Sequence, residues 1–478
     1  MAHWTVVGGE QTGGLVVRQG VELSSAKLKE RLETGARVAQ VELQGERLRF
    51  RRLEGHGPET GWVSLKLKEK PLLLPAASLP QAVTSVSELF GGRLEVECLE
   101  LPKHLRVRVA TISDIHVDQK ANMEWFQKHL PRKAPDDFNV LLLPGDVSDD
   151  PVIFKEAMKM LIESFDVVCY TPGNHDLWLR KSGDCSDSLA KLRQLRRLCE
   201  GEESELRGRV RFSPLELKTE QRSLLLLPLL SFYTSDWDQE PDLPWCPQQQ
   251  KQMLAWMDFR TMKWPELGSS GDSRKICFGP EGTKGLSELF AEMNEPVLEQ
   301  VAQIQPSTVL SFSHYLPRQE LFPEKRFLLD SSLHKVSGSL KLEGQIRRVK
   351  PDVHVFGHTH LTVDMVLDGQ RYVQWALGTP REQAAMSRAV ADSGMLILYD
   401  SMAEPCVAPV QETFWGQYFS AGKRDPSQIC PAPFVRKYFG QMFKELELPY
   451  DDDFFQTTPN PGPPIETYEG LFEPRWRF

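Results

Sequence analysis

Apolar and polar positions follow two different rhythms along the chain. Up to about residue 72, short apolar stretches (WTVV, GLVV, VELQ, LRFRRL, GWVSLKL) are separated by Gly-containing turns (GGEQTGG, LQGE, GHGPETG). Strands at that spacing predict a compact β-barrel or sandwich. One stretch breaks the rhythm: SSAKLKERLETG reads as a short helix, with Ser24 or Ser25 capping its start and Gly35 ending it. Residues 73–105 hold a Pro-containing connector, LLLPAASLPQ, and then VECLELPKHLR. From 106 the apolar runs lengthen and alternate with helical stretches. Strands are expected at 107–112, 139–143, 167–170, 224–230, 308–312, 352–356, 372–376 and 395–399, and helices at 153–165 and 188–199. Several of these strands are near-continuous Val/Leu/Ile runs, as in sheets covered on both faces. Strands alternating with helices predict a layered α/β domain over 106–400. An irregular stretch rich in Pro and Trp, 234–300, reads as an insertion and possible cap. An extension with a Pro-rich end occupies 401–478.

Composition narrows the class. At 478 residues, with 40% hydrophobic and 26% charged positions, the chain has the make-up of a soluble globular protein of two or three domains. A net charge of −9 without a basic block argues against a dedicated nucleic-acid binder. It leaves a phosphate substrate open, since bound cations supply local positive charge. The eight cysteines form no C-x-x-C pair, which suits free thiols in a reducing compartment. The start MAHWTVVGGEQ lacks a signal-peptide pattern, and the longest apolar run, LLLLPLL, is far short of a membrane span. An intracellular protein of the cytosol or an organelle interior is expected.

Five segments carry chemistry: Asp114-Ile115-His116, Gly145-Asp146-Val147-Ser148-Asp149, Gly173-Asn174-His175-Asp176, His314 in FSHYLP, and Gly357-His358-Thr359-His360. Each follows an apolar run directly or within a residue or two. The carboxyl ends of strands in α/β sheets are where ligands bind. Carboxylate, imidazole and amide oxygen donors suit Mn, Fe or Zn. Two such ions about 3.5–4 Å apart clamp a phosphoryl group. Lone histidines near strand ends are usually structural, and His104, His129, His334 and His354 are read that way.

The ordered set D-x-H, G-D-x-x-D, G-N-H-D, H and G-H-x-H resembles the calcineurin-like metallophosphoesterase superfamily, over about 106–400. The resemblance implies a layered β-sandwich flanked by helices. It implies two divalent metal ions (Mn, Fe or Zn), the first held by Asp114, His116 and His360 and the second by Asn174, His314 and His358, with Asp146 bridging both. It gives His175 a place over the phosphate, stabilising it or protonating the leaving oxygen, and Asp149 the part of orienting His175. The implied reaction is hydrolysis of a phosphate mono- or diester by a metal-bridging hydroxide. Gly57-Pro58-Glu59-Thr60-Gly61-Trp62-Val63 resembles a Src-homology-3-like barrel signature.

Asp150-Pro151 after G-D-x-x-D, and Asp176 in place of Glu, depart from the phosphoprotein phosphatase branch and look more like the phosphodiesterase and small-molecule branch. Specificity walls are expected from the insertion, with Trp237, Trp245, Trp256 and Trp264 as candidates. Asp150 and Asp176 are read as loop-capping or supporting groups, and Arg318 and Arg381 as phosphate contacts or surface charges. The alternative function is a catalytically weak, metal-stabilised scaffold that binds protein partners through its flanking regions, the N-terminal module among them.

Overall fold

The computed structural model describes the chain apart from residues 1–2, 10–12, 68–69, 76–91, 93, 180–184, 245–255, 265–284, 329, 386–389, 391–393, 423, 433–434 and 436–478. It divides into two compact units, Met1–Glu88 and Leu89–Phe478.

In the first unit, β1 (His3–Val6), β2 (Leu15–Arg18), β3 (Lys27–Leu32), β4 (Arg37–Gln44), β5 (Arg47–Glu54), β6 (Thr60–Ser64) and β9 (Leu73–Pro75) form one sheet. Its order is β3-β2-β6-β5-β4-β1-β9, every pair is antiparallel, and it is barrel-like. The two-residue strands β7 (Lys66–Leu67) and β8 (Lys70–Pro71) pair with each other. Val17, Val38, Leu48, Phe50 and Val63 point inward and are fully buried. The helix expected over SSAKLKERLETG is instead β3, paired with β2 through Leu15↔Leu32. Leu28 and Leu32, four apart, share a face in either conformation, so their spacing did not discriminate. Pairing with β2 decided it. Ser25 donates its hydroxyl to the carbonyls of Gly20 and Glu22, closing a turn rather than capping a helix.

The second unit is a two-sheet sandwich. One sheet runs β14 (Val210–Arg211), β13 (Val167–Thr171), β12 (Asp137–Pro144), β11 (Arg106–Thr111), β21 (Leu396–Asp400); it is parallel except for β21. The other runs β10 (Glu97–Glu100), β15 (Leu215–Lys218), β16 (Ser223–Pro228), β17 (Thr308–Phe312), β18 (Val353–Phe356), β20 (Gln370–Trp375), β19 (Thr362–Leu367), with β16, β17, β18 and β20 parallel. Val107, Val109, Val140, Leu142, Val167 and Cys169 of the first sheet share one buried core with Leu224, Leu226, Leu310, Phe312, Val353 and Val355 of the second. Alternate residues build that core, and helices cover much of what faces outward. Hence both sides of β12 and β16 are apolar.

Helix α1 (Lys120–His129) follows β11, and α2 (Pro151–Ser164) follows β12, burying Phe154, Ala157, Met158 and Leu161. Asp150 caps α2 by accepting from the Val152 amide, with Pro151 in the first turn, as the sequence suggests for a capping Asp. Helix α3 (Ser188–Glu200) is capped by Asp187. The stretch read as an irregular insertion contains a short helix, α4 (Asp258–Thr261), and a sixteen-residue one, α5 (Leu286–Val301). Leu286, Leu289, Phe290, Met293, Val297, Leu298 and Val301 form the buried stripe of α5. Pro296 inside it masked the helical period. Helices α6 (Leu340–Val349), α7 (Pro380–Ala385) and α8 (Phe414–Ser420) follow. Tyr418 and Phe419 of α8 enter a core with Tyr372 and Met365, so part of the C-terminal stretch is integral to this unit. Likewise β10, from the stretch read as connector, is an edge strand. Among the described residues no helix is long and apolar enough to cross a membrane, and no disulfide is formed.

Candidate metal centre

The ends of β11, β12, β13, β17 and β18 deliver the five motif segments to one place. The turns that do so are tight. Asp114, His116, Asp146, His358 and His360 all have positive φ, between 39° and 77°, a region non-glycine residues rarely enter. Such strain persists only where the surroundings fix it, and here it falls on donor after donor. Gly173 and Gly145 make room: a Cβ on Gly173 would collide with Asp146 Oδ1 and the His314 ring, and one on Gly145 would lie 2.6 Å from His314 Nδ1. The motif glycines are therefore spacers for the ligands.

Two clusters of donor atoms result. In the first, ligand atoms of Asp114, His116, Asp146 and His360 all lie within 4.8 Å of one another. His116 Nε2 is 3.0 Å from His360 Nε2, and His360 Nε2 is 3.6 Å from Asp114 Oδ1. In the second, Asn174 Oδ1 lies 3.1 Å from His314 Nε2 and 3.1 Å from His358 Nδ1, and the two nitrogens are 3.2 Å apart. Asp146 joins the clusters: Oδ1 is 3.6 Å from His314 Nε2 and Oδ2 is 3.9 Å from His116 Nε2.

The second cluster shows what these atoms need. His314 Nδ1–H donates to the Pro144 carbonyl at 2.9 Å, and His358 Nε2–H donates to the Val336 carbonyl at 3.0 Å. Burial holds the His358 imidazole down at about 3 and His314 well below its usual value, so both are neutral. A neutral imidazole has one N–H, already used, so the facing nitrogens carry lone pairs. The Asn174 amide nitrogen donates to Asp258, which turns its oxygen inward. Three lone pairs thus converge with no proton among them. Donors sharing a first-row ion at about 2.0–2.2 Å sit about 3 Å apart, so the residues fit a divalent cation.

Supporting groups fix both clusters. His360 Nδ1–H donates to Glu382 of α7 at 2.8 Å. Burial alone would lower His360, but the Glu382 carboxylate outweighs it and holds the imidazole up at about 9. Burial pushes the Asp114 carboxyl up to about 6, opposed by His360. Asp146 is raised further, by burial and then by the charges of Asp114 and Asp176. Asp176 accepts the amides of Asp146, Val147, Ser148 and Gly173 at 2.9–3.0 Å, lashing the G-D-x-x-D loop to the G-N-H-D loop. This matches the supporting role read from the sequence.

His175 has side-chain exposure of 29%, against 2% for Asp146, so solutes reach it. Its amide donates to Asp146 Oδ1 at 3.0 Å, and its ring lies 3.6 Å from the Trp178 ring, centroid to centroid. The ammonium of Lys191, a buried residue of α3, donates to the carbonyls of both Asp149 and Trp178 and so holds the Asp149 loop beside the His175 turn.

Other candidates resolve differently. Trp237 and Trp264 are buried core residues and cannot wall a substrate space, which corrects that expectation. Apolar packing claimed them. Trp245 lies outside the described residues. Trp256 donates to Asp258. Arg318 is tied to Glu320 and Asp368. His354 hydrogen-bonds Ser311 and Ser313, His334 bonds the Pro323 carbonyl and His129 stacks on Trp125, as structural histidines do. Sequence reasoning missed Glu382, Asp258, Lys191 and Trp178. Only Glu382, two residues after the Gly-Thr-Pro turn that ends β20, stands where a strand-end rule would have looked.

Among solved structures, the phosphopantetheinyl hydrolase of Mycobacterium tuberculosis is 16% identical, with a TM-score of 0.43 over 64% of this chain and 99% of that one. A putative 5'-nucleotidase from Staphylococcus aureus is 12% identical (TM-score 0.29; 64% and 53% covered). The 5'-nucleotidase of Candida albicans is also 12% identical (TM-score 0.30; 72% and 58% covered). The chain thus spans little more than half the length of these two nucleotidases. No curated protein gives a significant match. A family model described as calcineurin-like phosphoesterase matches residues 107–361, more than half of the chain and every donor of both clusters. The chain belongs to the calcineurin-like phosphoesterase family.

Proposed function

We propose that this chain is a dinuclear-metal-dependent phosphoesterase hydrolysing a phosphate mono- or diester. The observation that carries the reading is the pair of donor clusters sharing Asp146. Asp114, His116 and His360 would hold one ion, and Asn174, His314 and His358 the other, with one Asp146 oxygen facing each. When bound, the ions supply positive charge for the phosphoryl oxygens and lower the pKa of the attacking water.

The chain's own groups do the rest. His314 and His358 have their outer N–H bound to backbone carbonyls, which sets their tautomers before any ion arrives, and His360 donates its outer N–H to Glu382. His175, solvent-accessible and braced by Trp178, would protonate the oxygen of the departing alcohol. Asp149, held nearby through Lys191, orients it.

The test is hydrolysis of bis-p-nitrophenyl phosphate and p-nitrophenyl phosphate, with Mn added or chelated, by wild type and Asp146→Asn. Mn-dependent turnover lost in the variant supports the reading, and the preferred ester separates diesterase from monoesterase. No turnover of either ester by metal-loaded protein counts against it and favours a scaffold.

A further inference from the structure

Among the described residues of the stretch 234–300, Asp258 reaches the candidate metal centre through its carboxylate. Asp258 opens α4 and is 1% exposed. One oxygen, Oδ1, accepts the Asn174 side-chain amide at 3.1 Å and the Trp178 indole N–H at 2.6 Å; Oδ2 accepts the Trp256 indole N–H at 2.9 Å. The same segment is held by its backbone to the chain just past the G-N-H-D motif and to the start of α3: the Leu179 amide donates to the Thr261 carbonyl and the Ser188 amide to the Lys263 carbonyl, both at 2.8 Å.

We propose that Asp258 is a positioning residue for the phosphoesterase site, through which the 234–300 insertion sets both a metal ligand and the proton donor. The inference rests on the two-ion reading above. Through Asn174 it fixes the amide with Oδ1 toward His314 and His358; with the amide turned over, an N–H would point at those lone pairs and exclude a cation. Through Trp178 it fixes the indole against the His175 ring. Asp258 touches neither substrate nor ion. Its two effects separate by route: one on affinity for the ion at Asn174, one on the proton-donating step at His175.

The experiment uses the full chain with Mn as the probe. Mn affinities are measured by titration calorimetry, and kcat and KM on bis-p-nitrophenyl phosphate at limiting and excess Mn, for wild type, Asp258→Asn and Trp178→Phe. Losing such an outer partner typically costs about 10–100-fold in metal affinity or activity. Asp258→Asn is expected to lose affinity for one of the two ions by that factor and keep the other. Its kcat falls at limiting Mn and recovers substantially in excess Mn, with KM unchanged. Trp178→Phe keeps the ring but loses its bond to Asp258, so kcat falls several-fold with both Mn affinities intact. The proposal is overturned if Asp258→Asn binds both ions like wild type, or weakens both equally. If Asp258→Asn does not fold, Trp178→Phe decides, and an unchanged kcat overturns the proposal. Wild type that binds two ions without turnover sinks the catalytic reading but leaves the affinity test standing. Wild type that binds no Mn sinks both.

Discussion

The two halves of the candidate metal centre are built on opposite principles. The Asp114–His116–His360 half is anionic and reaches the surface: two carboxylates, counting the shared Asp146, line it, a third from Glu382 stands behind it, and His360 is 16% exposed. The Asn174–His314–His358 half is neutral apart from Asp146, and its imidazoles are oriented by backbone carbonyls. Protein groups alone keep the first half charged and proton-laden without an ion; the second waits neutral, with its lone pairs already aimed. The difference predicts unequal partners, with the anionic half holding its ion more tightly and the neutral half depending more on the support around it.

The largest expected effect breaks the comparison by removing what the halves share. Asp146→Asn should lower turnover by about 10³-fold or more, the several kcal/mol a Lewis-acid ion supplies, and reduce Mn content below two equivalents. Elemental analysis beside steady-state kinetics checks it. Next, His175→Ala should cost about 10²–10⁴-fold in turnover while leaving metal content at the wild-type level, since general acid catalysis is worth that much and His175 belongs to neither half. Loss of metal with it would refute the role given to His175.

His358→Ala and His360→Ala sharpen the comparison: each should abolish one binding step in a calorimetric titration and leave the other, with the tighter step surviving in His358→Ala. The smallest effect concerns protons. A histidine held up at about 9 must lose its proton to bind a cation, so affinity at the anionic half should rise with pH from 7 toward 9. Glu382→Gln removes the cause of that elevation. Its affinity should be about 10–100-fold weaker at pH 9, with the gap to wild type narrowing at pH 7 because His360 no longer holds a proton there. A gap that stays constant with pH would contradict this account of His360.

The halves also differ in how legible they were. Every candidate ligand was readable as such because each sits within a few residues of a strand end, where an apolar run stops and a Gly, His or Asp begins, as in VLLLP-Gly145-Asp146. The eight strands and two helices expected after residue 106 lie where alternation and apolar runs placed them, within a few residues. Asp176 was legible as a supporting group from its place beside the ligands. Asp258 was not, because an acid in WMDFR gains meaning only when α4 folds back on Asn174, 84 residues earlier. The strand β3 was misread because Leu28 and Leu32 serve either period, and α5 because Pro296 interrupts its pattern. Backbone strain at five candidate ligands had no sequence signal beyond the neighbouring glycines.

The most direct test is a Mn titration of chelator-stripped wild type, following binding and ester hydrolysis together. Two equivalents are expected to bind per chain, the tighter first, with activity appearing as the second fills. A single equivalent at saturation, or full activity in the chelator, would contradict it.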